Sequence, residues 1–180
     1  MKPISILICG IGGQGIISFS KKITELLLDN KLLDKIVQTE SRGVSQREGM
    51  VTSLIRFTLK DSEYPNEKFI LSPKLQPGIA DIFFGLEPLE SLRNIPYLSP
   101  EGLAIINTHA NYPKNTLIDQ NIHYPDTSTY FGGKLQKIYP DVTWVVRDFN
   151  ELSQQKYQNS KNSTLLMLSE LRQNFTNIFE

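Results

Sequence analysis

Ile4-Ser5-Ile6-Leu7-Ile8-Cys9-Gly10-Ile11-Gly12-Gly13-Gln14-Gly15 runs directly into Ile16-Ile17-Ser18-Phe19-Ser20-Lys21-Lys22-Ile23-Thr24-Glu25-Leu26-Leu27-Leu28. The first six residues are an apolar run of the length of a buried strand. Residues 16–28 repeat their apolar positions at helical spacing. A strand, a glycine turn and a helix in this order form a cradle for phosphate. Glycine lets the backbone turn sharply and approach a ligand. The helix start presents free N–H groups and a partial positive charge. The spacing of Gly10, Gly12 and Gly15 fits the dinucleotide-binding fingerprint. It also fits a tight turn whose glycines serve packing alone. Gln14 places a polar amide at the helix start, which sets the loop apart from a plain nicotinamide site.

The chain has 180 residues, which suits one domain spanning residues 1–180. Its 19 basic residues balance its 19 acidic ones. No bulk field therefore draws it to nucleic acid or to an anionic membrane. Cys9 is the single cysteine, so the chain cannot hold a cysteine-ligated cluster or build an internal disulfide. Its position at the end of the first strand predicts a buried thiol. His109 and His123 are not spaced as a metal pair. The first residues read as a strand rather than a signal peptide, and no apolar run reaches the length of a membrane span. A soluble cytoplasmic protein is expected.

Further strands are predicted at Lys35–Glu40, Met50–Lys60, Ala80–Gly85, Leu103–Asn107 and Val142–Arg147, with a short edge piece at Phe69–Leu71. Glu40 ends the second strand and is placed to bind a ribose hydroxyl or to be a solvated carboxylate. Ser41-Arg42-Gly43-Val44-Ser45-Gln46-Arg47-Glu48-Gly49 then joins two strands. Its arginines offer planar forks for phosphate or carboxylate; the alternative is a solvated loop. Met50–Lys60 alternates, with Val51, Ser53, Ile55 and Phe57 on the more apolar face. Pro88 suits a first helical turn, with Glu87 and Glu90 near its positive end. Thr127–Ile138 holds a short helix despite Gly132-Gly133. Asp148 with Glu151 forms a capping pair for the next helix. Ser163–Phe179 is a final amphipathic helix carrying Leu165, Leu166, Leu168, Leu171 and Phe175. The succession predicts a three-layer αβα sandwich, Rossmann-like, with a mostly parallel sheet. A loop at 43–49 should lie near the glycine loop if the first two strands are adjacent and parallel.

Three segments together resemble one family. Gly10–Gly15 is similar to the glycine–glutamine loop of the gamma-type domain of 2-oxoacid:ferredoxin oxidoreductases. Thr39–Gly49, followed by a strand with Ser53 and Arg56, resembles that domain's second signature. Ala80–Glu90 resembles its third, and a strand ending in Asn107 is shared. The order and distances agree over residues 4–107. The chain is most similar to the indolepyruvate branch, in which the domain stands as a short separate subunit. Glu48 and Arg42 depart from the pattern, where a glycine and a histidine are usual.

The resemblance implies a small subunit of an enzyme that oxidatively decarboxylates a 2-oxoacid, such as indolepyruvate or another aryl pyruvate, to an acyl-coenzyme A. It implies coenzyme A as co-substrate, with thiamine diphosphate and iron–sulfur clusters in a larger partner subunit and ferredoxin reached through the complex. The chain itself then binds no cofactor with certainty, supplies no catalytic residue or metal ligand, and is inactive alone. Gly10, Gly12, Gly13, Gln14, Gly15, Glu40, Ser45, Gln46, Arg47 and Asn107 are the expected binding residues. Two other readings remain: a free-standing NAD(P)- or flavin-binding Rossmann-like oxidoreductase, and a scaffold that kept the fold without the ligand.

Overall fold

The computed structural model describes residues 3–43, 49–60, 72–112 and 124–174. Its frame is a six-stranded sheet in the order β2-β3-β1-β4-β5-β6. The strands are β1 (Ile4–Ile11), β2 (Leu33–Arg42), β3 (Met50–Leu59), β4 (Ala80–Gly85), β5 (Leu98–Asn107) and β6 (Thr143–Arg147). The helices are α1 (Ile16–Leu28), α2 (Pro88–Asn94), α3 (Leu135–Ile138), α4 (Phe149–Tyr157) and α5 (Ser163–Asn174). A π-helical turn, Tyr130–Lys134, precedes α3, and a 3₁₀ turn, Ser160–Asn162, leads into α5.

Side-chain alternation along each strand sends successive residues to opposite faces, and the two faces carry two cores. Ile6, Ile8, Ile55, Phe57, Ile82, Phe84 and Ile105 meet α1, α4 and α5 through Phe19, Ile23, Phe149 and Met167. Phe19 and Phe84 pack edge to face with centroids 5.0 Å apart. On the other face Leu7, Cys9, Phe83, Ala104 and Ile106 meet Ile95, Phe131 and Leu135. This is the expected three-layer α/β sandwich. Cys9 is fully buried, as its strand position predicted.

β1, β4, β5 and β6 pair in parallel, whereas β3 runs antiparallel to both β1 and β2. β1 and β2 are therefore parallel but not neighbours, because β3 returns between them. β3 is also buried on both faces, since Thr52, Leu54 and Thr58 are as enclosed as Ile55 and Phe57. α5 buries Met167, Leu168 and Leu171, while Leu165, predicted on its apolar stripe, faces solvent. The predicted edge piece at 69–71 and the last residues of the final helix lie outside the described residues. Among the described residues no helix is long and apolar enough to cross a membrane.

Candidate functional site

The glycine loop closes the carboxyl end of β1. Gly13 and Gly15 adopt φ values of 97° and 78°, a left-handed region that side chains rarely enter. A Cβ added at either would meet open space, so conformation rather than crowding demands glycine there. Gly15 is the N-cap of α1 and makes no side-chain cap. The first N–H groups of a helix have no partner inside it, and α1 turns them toward the loop side.

Above the loop lies a cleft of about 430 Å³, lined by Gly13, Gln14, Gly15, Leu86, Asn107, Asn150, Ser160, Lys161 and Ser163. Leu86 directly follows β4 and Asn107 ends β5. The others come from the starts of three helices: α1, α4 through Asn150, and α5 through Ser163 with the preceding 3₁₀ turn of Ser160 and Lys161. Lys161 is the one charged side chain in this lining. The cleft sits at the carboxyl ends of β1, β4 and β5, the edge where open α/β sheets bind ligands.

Its floor is a brace of side-chain amides. Gln14 folds back over the loop: its Oε1 accepts the Ile11 N–H at 2.9 Å, and its Nε2 donates to the Leu86 carbonyl at 3.2 Å. A Cβ at Gly10 would stand 2.6 Å from that same Oε1 and 3.1 Å from Leu86 Cβ, so a larger residue there would push Gln14 out of this brace. Asn107 reaches the Leu86 carbonyl from the other side at 3.3 Å and donates to Asn150 Oδ1 at 2.9 Å. Its Oδ1 accepts the N–H groups of Phe149 and His109 at 3.0 and 3.3 Å. The ends of β1, β4 and β5 and the start of α4 are thereby tied to one another. Gln14 and Asn107 both line the cleft, yet their amides are spent within the chain. They shape the site more than they offer free donors.

At the same edge Asp148 Oδ1 caps α4 by accepting the Glu151 N–H at 2.8 Å, as the capping pair predicted. Its other oxygen faces Nδ1 of the exposed His109 at 3.3 Å. Glu87, Glu90 and Tyr124 form a second polar group beside Leu86. Glu87 Oε2 caps α2 through the Glu90 N–H at 2.7 Å, and its Oε1 accepts the Tyr124 hydroxyl. Burial pushes the Glu87 carboxyl up, and burial and the Glu87 carboxylate push the Tyr124 phenol up. Burial, with Glu90 next, holds the Cys9 thiol well above its ordinary range. That thiol is neither a nucleophile nor a free ligand.

The remaining sequence candidates are placed as follows. Gly12 donates its N–H to the Gly49 carbonyl at 2.9 Å, which brings the end of the 43–49 loop to the glycine loop. The proximity arises from the β2–β3 hairpin, not from adjacency of β1 and β2. Ser45, Gln46 and Arg47 lie outside the described residues. Glu40 is on β2, with β3 between it and β1, and it pairs with Arg42 at 3.3 Å. It is not among the residues that line the cleft. Asn150, Ser160, Lys161 and Ser163 were not singled out by sequence. Asn159 before a short helical turn was the one local signal, a capping residue type.

The sequence profile described as pyruvate ferredoxin/flavodoxin oxidoreductase matches residues 5–169. The chain belongs to this family. That stretch includes both the glycine loop and the α4–α5 turn that faces it. Indolepyruvate oxidoreductase subunit IorB of Methanothermobacter thermautotrophicus is 34% identical over 114 residues, 63% of this chain and 52% of that protein. The protein of the same name from Archaeoglobus fulgidus is 30% identical over 139 residues, 77% of this chain and 62% of that one. The chain thus spans only about half to three fifths of these relatives. Pyruvate oxidoreductase subunit PORC of Thermotoga maritima shares the fold, with a TM-score of 0.58 and 16% identity across 100% of this chain and 80% of that one. The gamma subunit of a keto/oxoacid ferredoxin oxidoreductase from Geobacter sulfurreducens does so with a TM-score of 0.55 and 12% identity. The family resemblance read from the three sequence segments is thereby established.

Proposed function

We propose that the chain is the small subunit of a 2-oxoacid:ferredoxin oxidoreductase, acting on indolepyruvate or another aryl pyruvate, and that its cleft receives the phosphate-bearing part of coenzyme A. The observation that carries this reading is the meeting of three helix starts and one lysine on a single cleft. Each helix start offers a partial positive charge to an anion. Open backbone at Gly13 and Gly15 leaves room for phosphate oxygens to come close. No acidic side chain lines the cleft to oppose them.

The residues do not suit an iron–sulfur cluster, which needs several thiolates, because the single cysteine is buried in the sheet. Thiamine diphosphate and the clusters supply decarboxylation and electron transfer from a larger partner in this reading. This chain binds and orients the thiol carrier, and its polar brace keeps the loop fixed while the carrier docks. Family membership supports the reading, as do the names of the relatives.

Calorimetric titration of the chain with coenzyme A and with NADH tests it. Binding of coenzyme A in preference to NADH is expected. Tight binding of NADH with no effect of coenzyme A overturns it in favour of a free-standing dinucleotide oxidoreductase.

A further inference from the structure

We propose that a second cavity, under the β2–β3 hairpin on the face of the sheet away from α1, binds a small uncharged aromatic molecule that carries both a hydrogen-bond donor and an acceptor. The cavity measures about 270 Å³. It shares no lining residue with the cleft at the glycine loop. The proposal therefore does not rest on the coenzyme A reading.

The strand pattern decides which side chains enter it. Ser53 on β3 points toward α1, where its hydroxyl meets that of the buried Ser20 at 2.6 Å. Its neighbours Thr52 and Leu54 point the other way. In the β2–β3 ladder Ser41 stands opposite Thr52, and Thr39 stands opposite Leu54. Thr39, Ser41 and Thr52 thus gather on one wall of the cavity. Thr52 is only 5% exposed. Among the described residues none of these three hydroxyls has a hydrogen-bond partner. Asn94 closes the cavity from the end of α2 and is 3% exposed. Its Nδ2 donates to the Glu90 carbonyl at 2.8 Å and lies 3.8 Å from the Met50 sulfur. Its Oδ1 has no donor among the described residues.

Buried polar groups are normally paired, and leaving one unpaired destabilises a fold. Here two buried side chains keep unspent capacity on one shared space. The hydroxyls can donate or accept, and the amide oxygen accepts. A guest with one donor and one acceptor satisfies both. Met50, Leu54, Leu75 and Tyr97 supply an apolar wall. A thioether and a phenol ring suit an aromatic guest. No charged side chain lines the cavity, so an ion would lose its water and gain no counter-charge. The volume falls just under that of pockets for drug-sized ligands, which limits the guest to about one substituted ring.

The 180-residue chain is titrated with benzamide and with benzoate at neutral pH, followed by amide NMR shifts. The two probes share a shape and differ in charge and in the N–H donor. Benzamide should bind with a Kd of about 1 mM or tighter, within reach of so small a ligand. The amides that shift should be those of Thr39, Ser41, Thr52 and Leu54, not those of Gly13 and Gly15. Benzoate should bind at least about tenfold more weakly. Thr52→Val keeps the shape and removes the hydroxyl. It should weaken benzamide at least about threefold, with a urea midpoint equal to or above the parent's, because no hydrogen bond of the fold is lost. Thr52→Ser keeps the hydroxyl and should bind benzamide within about twofold of the parent.

No binding of benzamide, or shifts confined to the glycine loop, overturns the site. Benzoate binding within about tenfold of benzamide overturns the uncharged class. The role of the Thr52 hydroxyl falls if Thr52→Val binds within about threefold of the parent, if its midpoint drops, or if Thr52→Ser is weakened as much.

Discussion

Glu87 is 2% exposed, accepts two hydrogen bonds and has Glu90 as a near neighbour. Burial outweighs the hydrogen bonds, so its carboxyl titrates above the ordinary 4.5. A carboxyl raised in this way holds its proton more tightly in the folded chain than in the unfolded one. Its contribution to stability is fully present below about 4.5 and is lost as pH rises through the raised value. Glutamine cannot ionise and keeps an oxygen for the Glu90 N–H. Glu87→Gln should therefore gain stability relative to the parent as pH rises above about 4.5, and the gap should level off once the parent carboxyl is ionised. Urea midpoints of both proteins across this range check it; a gap independent of pH removes the titration from Glu87. Little of this was legible in sequence. Glu87 and Glu90 were read correctly as helix-start acids, but their burial depends on α2 lying flat over β1 and on Tyr124, which comes from far along the chain.

Between elements, the decisive contacts are amide bridges to one carbonyl. The Leu86 oxygen takes Gln14 from the start of α1 and Asn107 from the end of β5. Gln14→Glu keeps an acceptor for the Ile11 N–H but turns the Leu86 donor into a second oxygen. A negative side chain at a helix start gains about 0.3–1 kcal/mol. The Leu86 oxygen keeps Asn107, but a carboxylate oxygen set against it in place of a donor is left without a partner, at a cost of about 1–3 kcal/mol. The cost wins, so Gln14→Glu should lower unfolding stability by about 1–2 kcal/mol, read as a lower urea midpoint with an unchanged slope. A midpoint equal to the parent's would mean that the bridge carries no weight. The strand–glycine–helix unit was plain in sequence because every part of it is local. The role of Gln14 was not, because a glutamine beside glycines looks the same whether it faces a ligand or a carbonyl 72 residues away.

For the whole molecule, alternating apolar residues told which segments are strands but not which way they run. β3 has the pattern of an ordinary half-buried strand, yet it returns antiparallel between β1 and β2 and is covered on both faces. That hairpin, rather than a parallel neighbour, carries Gly49 to the glycine loop. The cleft was half legible for a similar reason. Its glycine side has a motif, whereas its other side is built from an isolated asparagine, serines and a lysine without one. Neither side gathers a nucleophile with a base, and among the described residues no three His, Cys, Asp or Glu side chains are grouped to hold a metal. If the proposed subunit reading holds, the purified chain shows no 2-oxoacid-dependent dye reduction until the proposed thiamine-binding partner is added. Turnover by the chain alone would overturn that proposed role.

Cys9 has a practical consequence for anyone testing the proposed complex. The sulfur is at 0% exposure between β3 and β4, and its thiol resists ionisation. Maleimides and iodoacetamide react with thiolates that they can reach. A fluorophore or spin label attached through a cysteine introduced on the surface would thus report from one known place, with no background from the native sulfur. Docking of this chain onto the proposed partner can be followed without first removing Cys9.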